Sequence, residues 1–191
     1  MQNILVYLGA TMPADSSYTQ AVQELGEGLA THGYTLVFGG SQEGTMTVLA
    51  DAVLNNGGKA IGVFTKALPM NLLYPGLTQT IMTEDFLERK KEMFRLADAI
   101  IAMPGSFGTW DELFDSLERI KVEIIHRRPA KPVALLNLHG YYDGVTTLLQ
   151  RSIQEGYTTH RYANLLYSAS SVGQLFAWLQ DNAVLPNAVH P

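Results

Sequence analysis

The chain has 191 residues, no cysteine, a hydrophobic share of 47%, a charged share of 16% and a formal net charge of −5. That length suits one domain with a substantial core, and the lack of cysteine excludes disulfides, thiolate catalysis and zinc–thiolate sites. The acidic balance argues against nucleic-acid binding, which needs lysine and arginine to neutralise phosphates.

Strand-like and helix-like segments alternate along the whole chain. Ile4 to Leu8 reads as the first strand. It is short and lacks the basic start and small-residue cleavage pattern of a signal peptide. Tyr18 to His32 is helical, with Val22, Leu25 and Leu29 on one face and Gly33 as the stop. Thr35 to Phe38 is a second strand, followed by a glycine-rich turn, and Thr45 to Asn56 a second helix. Ala60 to Phe64 is a strand, residues 65–76 a proline-marked loop, and Thr78 to Met82 a short strand. The charge-rich run Glu84 to Leu96 is a helix, Ala99 to Met103 a buried strand, and Gly108 to about His126 a helix. Lys131 to Asn137 (strand), Tyr142 to Gly156 (helix), Leu165 to Ser168 (strand) and Val172 to Asp181 (helix) complete the series.

This alternation predicts an α/β, Rossmann-like fold: a parallel sheet of about six or seven strands with helices on both faces. Residues 1–181 are expected to form a single domain and residues 182–191 a loose tail. No stretch approaches the roughly 20 apolar residues of a membrane helix, so a cytoplasmic protein without membrane contact is expected. His32, His126, His139, His160 and His190 are scattered, with no H-x-x-x-H spacing, so no metal site is expected.

Ligands of such sheets bind beyond the carboxyl ends of the strands, and two glycine turns lie at such ends. One is Gly39, Gly40, Gly44 and Thr45; the other is Gly105, Ser106, Gly108 and Thr109. The second joins a strand to a helix start, where unpaired N–H groups and the helix dipole favour an anion. Neither turn is the G-x-G-x-x-G of dinucleotide enzymes, nor the G-x-x-x-x-G-K-[ST] phosphate loop. Glu112 lies one turn into that helix. Thr109-Trp-Asp-Glu112 also fits an S/T-x-x-E capping box that merely satisfies helix N–H groups. Phe86, Arg89, Lys90 and Met93 share one helical face, and that face reads either as a solvated surface with near-neighbour ion pairs or as a mixed cationic and apolar site.

Three pieces together resemble one family: Phe38-Gly-Gly-Ser-Gln-Glu-Gly-Thr-Met46, Glu88-Arg-Lys-Lys-Glu-Met93 and Pro104-Gly-Ser-Phe-Gly-Thr-Trp-Asp-Glu112. This looks like the LOG (LONELY GUY) family, with its P-G-G-x-G-T-x-x-E signature, often labelled "possible lysine decarboxylase". Flanking similarity extends the match over roughly residues 3–180. The resemblance implies a homodimeric nucleoside 5′-monophosphate phosphoribohydrolase without cofactor or metal, acting on AMP or a cytokinin riboside monophosphate. It implies Arg89 and Glu112 as catalytic residues. Gly39, Gly40, Gly44, Thr45, Phe86, Lys90, Gly105, Ser106, Gly108 and Thr109 would bind phosphate or substrate. Ser41, Ser106 and Phe86 stand where the family has glycine, glycine and methionine; a serine held at φ > 0 would cost about 1 kcal/mol or more. A non-catalytic nucleotide or phosphate-ligand binder on the same fold is the alternative. A pyridoxal decarboxylase needs a Schiff-base lysine, for which Lys90 on a helix face is a poor candidate.

Overall fold

The computed structural model describes residues 2–183; most of the expected tail lies outside them. Seven strands, β1 (Asn3–Tyr7), β2 (Thr35–Phe38), β3 (Lys59–Thr65), β4 (Gln79–Thr83), β5 (Ala99–Ala102), β6 (Val133–Leu136) and β7 (Leu166–Ala169), alternate with helices. The helices are α1 (Ser16–Thr31), α2 (Gly44–Asn55), α3 (Phe86–Leu96), α4 (Phe107–Ile125), α5 (Asp143–Gln154), α6 (His160–Ala163) and α7 (Val172–Ala183). All strand pairings are parallel, in the order β4-β3-β2-β1-β5-β6-β7. This is the expected Rossmann-like α/β sheet.

Strand side chains alternate between two apolar layers, as the period of two requires. Ile4 and Val6 of β1 face the layer filled by α1, α2 and α7. Leu5 and Tyr7 face the layer filled by α3, α4 and α5. Both faces are covered, which explains why β1, β2, β5 and β6 read as unbroken apolar runs. The short helix α6 and the 3-10 turns Met70–Leu72 and Leu138–Gly140 were not anticipated; one turn is too short to show a hydrophobic period.

Two connections matter for the site. The segment after β3 folds back over the first glycine turn, where Ser41 bridges Leu73 and the amides of Gln42 and Tyr74 donate to Leu72 and Gly40 at 2.8 Å each. The sheet changes direction at β1, with β2 on one side and β5 on the other. A crevice at such a point is where ligands of open parallel sheets bind.

Candidate functional site

Arg89 sits on the fourth residue of α3 and is 8% exposed, unusual for a cation. Its guanidinium is held on three sides. Nε donates to the Val63 carbonyl at 2.8 Å, Nη2 to the Gly39 carbonyl at 2.9 Å, and Nη1 to Glu112 Oε1 at 3.2 Å. Burial of a charge costs several kcal/mol unless it is paired and hydrogen-bonded, and here both conditions are met. Gly39 is required by this arrangement, because a Cβ there would lie 1.9 Å from Arg89 Nη2.

Glu112 has only 14% of its side chain exposed. Burial pushes its carboxyl up from 4.5 to about 7; the Arg89 charge opposes that shift and Asp111 adds to it. A carboxylate with a raised pKa, locked against one buried arginine, suits proton transfer near neutrality. The capping-box reading of Thr109–Glu112 is corrected: α4 begins at Phe107, with Ser106 as its N-cap, which makes no side-chain capping bond. Glu112 is therefore the sixth residue of the helix and out of reach of its first amides. The comparable capping pattern operates instead on α3, where Asp85 accepts from the Glu88 amide at 2.8 Å.

The turn before α4 is compact. A Cβ on Gly105 would meet Thr109 Oγ1 at 2.1 Å, so the buried Thr109 folds over its α-carbon. The first α-helical bond runs from the Trp110 amide to the Ser106 carbonyl at 3.0 Å. Among the described residues the amides of Phe107 and Gly108 find no protein acceptor, as the start of any helix requires. Gly108 is exposed, and a Cβ there would meet open space. Neither serine is strained: Ser106 has φ −123° and Ser41 is not among the positive-φ residues. The left-handed positions of the other turn are Gly40 at +74° and Gly44 at +49°.

A cleft of about 260 Å³ opens at the crevice beyond β1 and β5. Thr45, Gly105 and Ser106 line it, with Met12, Tyr18 and Tyr141. Thr45 also donates to the Gly9 carbonyl at 2.6 Å, which ties α2 to the end of β1. The structure thus gathers six of the sequence-named residues into two groups. Thr45, Gly105 and Ser106 border this cleft, while Gly39, Arg89 and Glu112 form the buried cluster on the α3 and α4 side. Phe86 stands outside both, 48% exposed at the start of α3. Lys90 is engaged elsewhere: its Nζ lies 2.9 Å from Asp111 and 3.6 Å from Asp115. Burial works against its charge, but the two aspartates outweigh that and hold it above its ordinary value. A lysine so protonated and bound stitches α3 to α4.

Several contributors were not named from the sequence. Tyr141 and Tyr142, the second of which opens the helix expected from the sequence, place their hydroxyls on the Gly105 and Met103 carbonyls. Tyr7 on β1 meets Ser116 of α4 at 2.8 Å in the core, and burial pushes its phenol up. These partners are backbone or distant groups; only a pair of adjacent tyrosines after a strand end hinted at them. Among the described residues no helix is long and apolar enough to cross a membrane.

The family model described as "Possible lysine decarboxylase" matches residues 46–179. The cytokinin riboside 5′-monophosphate phosphoribohydrolase LOG of Oryza sativa subsp. japonica is 34% identical over 94% of this chain and 73% of its own length. An Arabidopsis thaliana cytokinin riboside 5′-monophosphate phosphoribohydrolase is 33% identical over 94% of this chain and 83% of its own. Among solved structures, a molybdenum cofactor binding protein from Rippkaea orientalis superposes with a TM-score of 0.71 at 19% identity, covering 96% of this chain and 98% of its own. The molybdenum cofactor carrier protein of Chlamydomonas reinhardtii gives 0.67 at 20%, covering 97% and 100%. Those two likenesses speak for the fold. The sequence matches, long in both partners and reaching across both glycine turns and the Arg89 helix, place the chain in the LOG family.

Proposed function

We propose that the protein is a nucleoside 5′-monophosphate phosphoribohydrolase, cleaving the N-glycosidic bond of AMP or an N6-substituted AMP to free base and ribose 5-phosphate. The observation that carries this reading is the Arg89–Glu112 pair, in a member of a family whose curated relatives bear that activity in their names. The 5′-phosphate is assigned to the amides opening α4, at Gly105, Ser106, Gly108 and Thr109. No metal or cofactor is assigned. Glu112 in its ionised form takes a proton from water as the oxygen bonds to the anomeric carbon. The C–N bond breaks with its electron pair going to the base, which takes up a proton from solvent, and Glu112 returns its captured proton to solvent before the next turnover. The carboxylate also stabilises positive charge that develops on the sugar. Arg89, its fork already committed to two carbonyls, serves by fixing Glu112.

The test is chromatography of products from a nucleotide panel. Release of base and ribose 5-phosphate in equal amounts is expected, with Glu112→Gln lowering the rate about 100-fold or more. Absence of base release from every nucleotide refutes the reading.

The second reading, a nucleotide or phosphate-ligand binder without turnover, draws on the Tyr18 and Tyr141 cleft, which neither Arg89 nor Glu112 lines. It predicts ligand-induced thermal stabilisation that survives Glu112→Gln with no product formed. A homodimer is assigned to the apolar groove of about 420 Å³ between α4 and α5, where Trp110, Phe114 and Leu148 are 37%, 42% and 56% exposed. A cytoplasmic location goes with the hydrolase reading.

A further inference from the structure

Two tyrosine hydroxyls grip the turn that ends β5. Beyond β6 the chain passes through Leu138–Gly140 and returns Tyr141 and Tyr142 to the Met103–Ser106 segment. Tyr141 donates to the Gly105 carbonyl, and Tyr142 donates to the Met103 carbonyl at 2.7 Å. The returning segment is tightly built. His139 has φ +53° and Gly140 +73°; left-handed backbone in a residue other than glycine persists only where its surroundings hold it. Here Asn137 accepts from the Tyr142 amide at 2.6 Å and donates to Asp143 at 2.7 Å. His139 Nε2 lies 3.0 Å from Ser17 Oγ, and its ring meets Tyr18 edge-on at 5.6 Å. Tyr141 is also the wall shared by the two clefts.

The two hydroxyls differ in what they orient. In a trans peptide the carbonyl of one residue and the N–H of the next point in opposite directions. The Gly105 carbonyl shares its peptide with the Ser106 N–H, whereas the Met103 carbonyl shares its peptide with Pro104, which has no N–H. Tyr141 therefore sets the direction of a donor at the start of α4, while Tyr142 secures only the chain. We propose that Tyr141 is a positioning residue for the substrate phosphate, aiming the Ser106 amide at the anion by holding the Gly105 carbonyl from behind. This rests on the nucleotide reading above.

The test compares Tyr141→Phe and Tyr142→Phe with the unaltered protein. Ribose 5-phosphate binding is measured by calorimetry, base release by steady-state kinetics and stability by urea unfolding. Tyr141→Phe is expected to weaken ribose 5-phosphate binding and raise KM about three- to tenfold. Its kcat should stay within about twofold, because the phosphate is held alike before and during reaction. Tyr142→Phe is expected to lower the urea midpoint and leave ribose 5-phosphate affinity unchanged. Unaltered affinity in Tyr141→Phe, or equal weakening in both variants, overturns the inference while the nucleotide reading stands. If the unaltered protein neither binds ribose 5-phosphate nor releases base, the nucleotide reading fails and the inference falls with it.

Discussion

Replacing Arg89 by glutamine tests how the buried pair sets the acidity of Glu112. The carboxyl already titrates at about 7, because burial outweighs the guanidinium that opposes it. Two unit charges 3.2 Å apart attract by about 5 kcal/mol at an effective permittivity of about 20. That figure is a ceiling, since the guanidinium charge is spread over three nitrogens and two of them face carbonyls. An opposite charge at such range moves a carboxyl by about one to three pK units, so Glu112 in Arg89→Gln is expected to titrate above its present position. If its ionised form is the working base, base release at pH 7 falls about fivefold or more on this ground alone and recovers in alkaline buffer. For stability the sign is opposite to that of an ordinary carboxylate. The folded pKa lies above the unfolded one, so the folded state binds the extra proton. Its contribution is complete below about 4.5 and is lost as pH rises through about 7, a change of about 3 kcal/mol. The assays are a carboxyl carbon NMR titration, the pH profile of kcat/KM and urea unfolding at several pH values. A Glu112 that titrates near 4.5 in the unaltered protein, or that moves to lower pH when Arg89 is removed, refutes the reasoning.

Gly39→Ala drives a methyl group into the Arg89 guanidinium; it is expected to destabilise by about 1–3 kcal/mol and to reduce base release about 100-fold, read by urea unfolding and product chromatography. Tyr7→Phe leaves the Ser116 hydroxyl buried without its partner, a loss of about 1–3 kcal/mol that the further change Ser116→Ala should partly restore in urea melts. Ser106→Gly relieves no strain, because φ is already −123°, and removes no capping bond; chemical unfolding is expected to show no gain, only a loss of about 0.4–1 kcal/mol from the added freedom of the unfolded chain. Leu148→Asp places a charge on the groove assigned to the second subunit and is expected to shift sedimentation from dimer to monomer.

The layered sheet was legible because its signals are local. Apolar runs of four or five residues, glycine stops and amphipathic helices gave nearly every element with ends displaced by only one or two residues. The two glycine turns were legible as strand ends for the same reason. What the Thr109–Glu112 pattern meant was not, since one string of residues serves a cap or a site according to where the helix starts, and Ser106 starts it too early for capping. Glu43, inside the first glycine turn, is the N-cap of α2 and makes no side-chain capping bond. The environment of Arg89 was hidden for another reason: two of its three partners are carbonyls, and every residue carries one. Tyr141 was hidden likewise, its acceptor lying 36 residues away on the backbone.

The partners of Arg89 lie 50 and 26 residues before it and 23 after it. During synthesis the carbonyls of Gly39 and Val63 leave the ribosome first, then the cation, and the acid last. Glu112 is thus the last of the four to be made. A chain stopped short of α4 could reach this fold only by burying Arg89 without its counterion, at a cost of about 3–5 kcal/mol. Such products are expected to fall to proteases rather than to persist as half-built copies.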